Sequence, residues 1–201
     1  MNAHERTELA MHTLYQGLAD LLGARAYLDG QVSLTFSTPL GRLELAHMAV
    51  SKSHQSVEKV LKGYLVFHGQ SINPFRGHDP LTRVMNGEGG NASFLLKFRT
   101  TMRQSSGGII HRLLSMEQMA PNPPPVQDLD QIELTDLPIN TEYPFWDNAA
   151  GYLTSPAIHF KRADAFNAIR VTISLCEILA GEDDDDYTQG LRRFLETFPL
   201  D

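Results

Sequence analysis

The sequence predicts an all-α fold. Apolar residues recur at three- and four-residue steps almost everywhere along the chain. The longest periodic segment, residues 43–68, contains no proline. The one alternating stretch, Val32, Leu34 and Phe36 with Ser33 and Thr35 between, has no evident partner strand, and one strand does not make a sheet. With 201 residues and 42% hydrophobic content, the chain is long and apolar enough for one buried core. Residues 1–201 are therefore expected to form a single helical domain, carrying an insertion at 118–153.

Each element has its own reason. In the first segment Met11, Leu14, Leu18, Leu21 and Leu22 fall on one helical stripe, and Gly23 is a terminator nearby. In the second, Ala46, Val50, Ser53, Val57, Val60, Leu61 and Tyr64 keep the period, and Gly69 closes it ahead of Asn73-Pro74. At about 1.5 Å per residue this helix is about 40 Å long. Leu45, Met48, Leu65 and Phe67 point away from its main face. A helix apolar on two sides is usually covered on two sides, so a second copy or a partner is expected against it.

Asp79-Pro80 is a helix start, a cap with proline in the first turn, for a short helix ending in Gly87, Gly89 and Gly90. Phe94, Leu95, Phe98 and Met102 begin another helix, which Ser105-Ser106-Gly107-Gly108 breaks or kinks before Ile109, Ile110, Leu113 and Leu114 resume it. The prolines at 121, 123, 124 and 125 then open a partly extended arm anchored by Tyr143, Phe145 and Trp146. The last long helix places Ala163, Phe166, Ile169, Ile173, Cys176 and Ala180 on one face, with Gly181 as its cap. Residues 187–198 make a final short helix, with Asp183 to Asp186 at the amino end that favours negative charge.

Seventeen basic against twenty-four acidic residues give a formal net charge of −7. That argues against coating nucleic acid or an anionic membrane through the overall field, while leaving room for a local basic patch. The single cysteine, Cys176, allows neither an internal disulfide nor a thiolate metal cage, and suits a reducing, cytoplasmic setting. No stretch reaches the roughly 18 apolar residues of a membrane span, so no membrane partner is expected. Charge is also segregated along the chain. Between Glu88 and Glu117 it is all basic, with Lys97, Arg99, Arg103 and Arg112; from Glu117 to Asp147 it is all acidic. The arm is thus expected to lie over the basic helix and screen it from polyanions.

The stretch 53–84, SHQSVEKVLKGYLVFHGQSINPFRGHDPLTRV, resembles the signature of HEPN domains. His54-Gln55-Ser56-Val57-Glu58-Lys59 stands at the glutamine-bearing helix with its Glu-Lys pair, and Leu61-Lys62-Gly63-Tyr64-Leu65 follows it. His78-Asp79-Pro80-Leu81 matches the closing His-Asp-Leu, with Pro80 inserted. A weaker match joins Tyr143-Pro144 and Tyr152-Leu153-Thr154 to the helix bearing Ala163, Ala165 and Ala168. The resemblance implies an up-and-down bundle of four to five helices, often a homodimer. It also implies a toxin–antitoxin or antiphage setting, with a nucleotidyltransferase or antitoxin partner and contact with RNA. Active members of the family are metal-independent endoribonucleases with an arginine followed after four to six residues by histidine. Arg103 and His111, with seven residues between them, are the nearest candidates here and depart from that spacing. Lys97, Arg99 and Arg112 are the accompanying RNA-binding candidates. The alternative is a non-catalytic helical module that pairs with a nucleotidyltransferase or with itself.

Other polar constellations have plainer readings. His47 lies seven residues, about 10 Å along a helix, from His54, too far to share one ion with His54 and Glu58. Glu58 and Lys62 make a surface ion pair worth a few tenths of a kcal/mol. Glu182 with Asp183 to Asp186 reads as a solvated helix cap, because consecutive acids do not converge on one hard cation without loop wrapping. No glycine-rich phosphate loop or nucleophile elbow is present. No cofactor and no metal are therefore expected.

Overall fold

A computed structural model describes residues 1–30, 34–35, 42–43, 45–71, 80–85, 88–89, 145–147, 152–154 and 160–198. Among them are five helices: α1 (Ala3–Asp29), α2 (Ala46–Phe67), α3 (Pro80–Met85), α4 (Arg162–Ala180) and α5 (Asp186–Thr197). Two short antiparallel ribbons accompany them. Strands β1 (Leu34–Thr35) and β2 (Arg42–Leu43) pair Leu34 with Leu43; β3 (Phe145–Asp147) and β4 (Tyr152–Thr154) pair Trp146 with Leu153. Helices build the core, and the class is all-α. None of the described helices is long and apolar enough to cross a membrane.

Helix α1 starts at a capping box. The Asn2 side chain accepts from the Glu5 N–H at 2.9 Å, while the Glu5 carboxylate accepts from the Asn2 N–H at 2.8 Å. The helix does not stop at Gly23, contrary to expectation. A glycine inside a helix costs only about 1 kcal/mol, and buried Leu21, Ala24 and Leu28 on either side hold the helix through it. Helix α2 begins at Ala46 rather than at residue 43, because Leu43 is taken up by β2, which is the partner the alternating stretch lacked in sequence. It ends where Gly69 adopts φ +79°, a conformation open to glycine. Helix α3 opens with Pro80 as its first residue, as the Asp-Pro signal predicts.

Helices α1 and α2 make the most extensive contact of the bundle and run antiparallel. Two glycines allow their close approach. A Cβ on Gly17 would lie 3.0 Å from Val60 Cγ2, and one on Gly63 would lie 2.9 Å from the Ala10 carbonyl. Helix α4 packs on α2 and also touches α1, and α5 folds back on α4 through the short turn 181–185. Helix α2 is thus central. Leu65, expected to look outward toward a second copy, has no exposed surface, and Phe67 packs against the core. At Leu65 and Phe67 the second apolar side of α2 is covered by its own chain, while Leu45 and Met48 at its start are half-buried.

Helix α4 buries most of its predicted face, Ile169, Ile173, Cys176 and Ala180, together with Ala165, Ala168, Thr172 and Leu179, whereas Ala163 and Phe166 near its start are exposed. The sequence pattern missed Thr172 because a hydroxyl reads as polar. Here that hydroxyl donates to the Ala168 carbonyl at 2.9 Å and is buried without an unmet bond. Burial pushes the Cys176 thiol up to about 12, which makes it an inert core residue. Helix α5 is capped by Asp185, whose carboxylate accepts from the Thr188 N–H at 2.8 Å. The expected helices at 94–102 and 109–114 and the arm at 118–142 lie outside the described residues.

Candidate functional site

Every residue assigned a role from the sequence lies outside the described residues: Arg103, His111, Lys97, Arg99 and Arg112. So do His78 and Asp79 of the family-like motif. The first half of that motif is visible, and it is structural. Asp20 of α1 is almost fully buried and carries two ammonium partners from α2, Lys52 at 2.8 Å and Lys59 in a shorter contact. Lys52 also donates to the Gln55 side chain at 2.9 Å. This network fixes the register of α1 on α2, since one carboxylate answers residues two turns apart on the facing helix.

Glu58 and Lys62 pair at 2.5 Å, but not on the surface as expected. The Lys62 side chain is 3% exposed and that of Glu58 is 14% exposed. His54 is likewise buried. The chemistry of these groups is cohesion: charges withdrawn from water need partners, and the helix spacing supplies them.

Surface chemistry gathers in two places. The first is a groove where the end of α1 meets the start of α4. Arg25, Leu28, Asp29, Arg162, Ala163 and Phe166 line a cavity of about 390 Å³. Phe166 is 43% exposed, on a helix whose other large apolar residues are mostly buried. The guanidinium of Arg170, one turn on, lies 5.8 Å from the centre of its ring, and Arg162 lies one turn before. Arg25 is held from below by Asp29 at 2.7 Å. Arginines at 162 and 170 flank the aromatic at four-residue steps, so all three share one outward face. This combination of cations and an open ring can grip a phosphate and stack a base.

The second place is the carboxyl end of α2, against the turn between α4 and α5. His68 packs tilted against Tyr64 with ring centres 4.3 Å apart, and its Nε2 faces Asp185 Oδ2 at 3.9 Å. Tyr64 donates to the Gly89 carbonyl at 2.8 Å. Burial first, then the charges of Asp183, Glu182 and Asp185, push the Tyr64 hydroxyl far above its ordinary pKa, so it stays a neutral donor. Tyr187, fully buried, donates to the Val60 carbonyl at 2.5 Å and is raised mainly by burial too.

From the sequence, the acids of the second place read as a solvated helix cap, and nothing marks the groove. The groove joins residues more than 130 positions apart, and Phe166 reads as core by its spacing. Known proteins add no guide to either: no family model, curated protein or solved structure matches this chain.

Proposed function

We propose that the chain is a HEPN-like helical module of a toxin–antitoxin or antiphage-type pair, and that it contacts single-stranded RNA through the face of Arg25, Arg162, Phe166 and Arg170. The HEPN-like part rests on the motif at 53–84. The contact with RNA rests on one observation, the exposed Phe166 ring set between two arginines over a groove of about 390 Å³. Single-stranded RNA is held by stacking on aromatic side chains and by cations that follow its backbone, and both are offered here without a demand for sequence. Arg162 has no acidic partner among the described residues, so its charge is available to a phosphate. A local patch of this kind is compatible with a net charge of −7.

Nuclease activity is a separate matter. It would fall to Arg103 and His111, whose spacing departs from the family pattern. Binding without cleavage is the expected outcome when the protein is incubated with tRNA and single-stranded RNA.

Stacking of one base on an aromatic is worth about 1–3 kcal/mol when lost to alanine. Phe166→Ala should therefore weaken binding of a labelled single-stranded RNA by about tenfold or more, with helicity unchanged because the ring is not part of the core. Fluorescence anisotropy at low salt measures this. Equal affinity in both proteins would remove RNA from this face.

A second reading has its own support. Tyr15 and Leu22 are 56% and 49% exposed and lie seven residues apart on the outer face of α1. An apolar stripe of that kind fits a protein partner, whether a nucleotidyltransferase or a second copy of the chain. A wild type that binds no RNA would favour it.

A further inference from the structure

We propose that His68, Asp183 and Asp185 form a binding site for one divalent transition-metal ion of the zinc and cobalt class. The site is independent of the RNA-binding reading. Each of the three residues offers one ligand atom, and these atoms lie within 4.8 Å of one another. Two ligands at about 2.1 Å from one ion can stand no more than about 4.2 Å apart. The His68 to Asp185 separation of 3.9 Å already meets that limit. The widest pair has to close by about half an ångström, which the exposed Asp183 side chain supplies by rotation.

A second observation, on the histidine itself, points to a ligand. His68 Nε2 is shielded from solvent and has no hydrogen-bond partner in the structure. At 3.9 Å the Asp185 oxygen is too far to satisfy it by a hydrogen bond. A shielded ring nitrogen left without a partner is costly, and a metal ion would remove that cost. Imidazole nitrogen with carboxylate oxygens selects a first-row divalent ion rather than calcium, and water would complete its shell.

The turn that carries the two carboxylates is already fixed. Asp185 Oδ1 caps α5 by accepting from Thr188, which leaves Oδ2 toward His68. The Asp183 carbonyl accepts from Arg192 at 2.6 Å and from the Thr188 hydroxyl at 2.7 Å. Arg192 also pairs with Asp184 at 2.8 Å, so the neighbouring acid is turned to its own cation. Consecutive acids do not converge on one hard cation without a wrapping loop; here alternate ones approach a histidine from another helix.

Full-length protein stripped with a chelator should bind one Zn²⁺ per chain by calorimetry, and Co²⁺ should give visible d–d bands. His68→Gln and Asp183→Asn should each weaken binding by at least about tenfold, while Asp184→Asn should bind as the wild type does. Should His68→Gln fail to fold, Asp183→Asn, whose side chain faces solvent, decides alone. Absence of Zn²⁺ binding at submillimolar concentration overturns the proposal. So does equal binding by wild type and both ligand variants.

Discussion

Replacing Lys62 with methionine should lower the stability of the protein by about 3 kcal/mol. Breaking a buried ion pair by removing one partner costs about 3–5 kcal/mol, because the other charge stays out of water. The lower end applies here, since the Glu58 side chain retains 14% exposure while Lys62 retains 3%. For a chain of this size that loss lowers the melting temperature by about 6–12 °C. The sign of a second substitution identifies the cause. Glu58→Gln combined with Lys62→Met should be more stable than Lys62→Met alone, because the double variant no longer buries a carboxylate that has lost its ammonium partner. Urea melts of the three variants settle the order. A double variant less stable than Lys62→Met would show that packing, not charge, governs this position.

Glycines in α1 and α2 should respond to alanine with opposite signs. At Gly63 the new Cβ would sit 2.7 Å from the Tyr187 hydroxyl and 2.9 Å from the Ala10 carbonyl. Neither can move freely, since Tyr187 is buried and hydrogen-bonded to Val60, and the carbonyl belongs to the α1 backbone. Overpacking of this kind costs about 1–3 kcal/mol or more. Alanine's better helix propensity returns about 1 kcal/mol, so a net loss of about 2 kcal/mol is expected. At Gly23 the Cβ would meet only the Lys52 Cδ at 3.9 Å. There the propensity gain stands alone, and Gly23→Ala should stabilise by up to about 1 kcal/mol. Thermal melts of the two variants against the wild type check both signs. A tolerated Gly63→Ala would contradict the close approach of α1 and α2.

The same residues show how much of the molecule was legible in the sequence. Periodicity placed α2, α4 and α5 to within a few residues, because uninterrupted apolar spacing is strong over that length. It failed at Gly23, where tertiary packing overrides the weak local penalty, and at Leu43, where a strand pairing claims a residue that also fits the helical period. The face of α4 was legible at Ile169, Ile173, Cys176 and Ala180 but not at its edges, because Phe166, the largest apolar side chain of that helix, is exposed while Thr172 is buried. Sequence patterns read side-chain type, and both residues act against type.

Charged residues were the harder part. Asp20, Lys59 and Lys62 look like solvated helix positions, and only the crossing of α1 over α2 turns them into a buried network. His68 read only as the last residue of a helix. Its relation to Asp183 and Asp185 depends on a turn more than a hundred residues away, which no spacing rule could reach.

The measurement closest to the central claim is the salt dependence of single-stranded RNA binding by wild type and an Arg162→Gln/Arg170→Gln variant. Each phosphate contact on a single strand contributes about 0.7 to the slope of log K against log salt. If the two arginines flank a stacked base and hold its neighbouring phosphates, the slope of the double variant should be shallower by about 1.4. Arg193→Gln, exposed on α5 away from the groove residues, should leave the slope unchanged. Parallel salt plots for the wild type and the double variant would contradict the account.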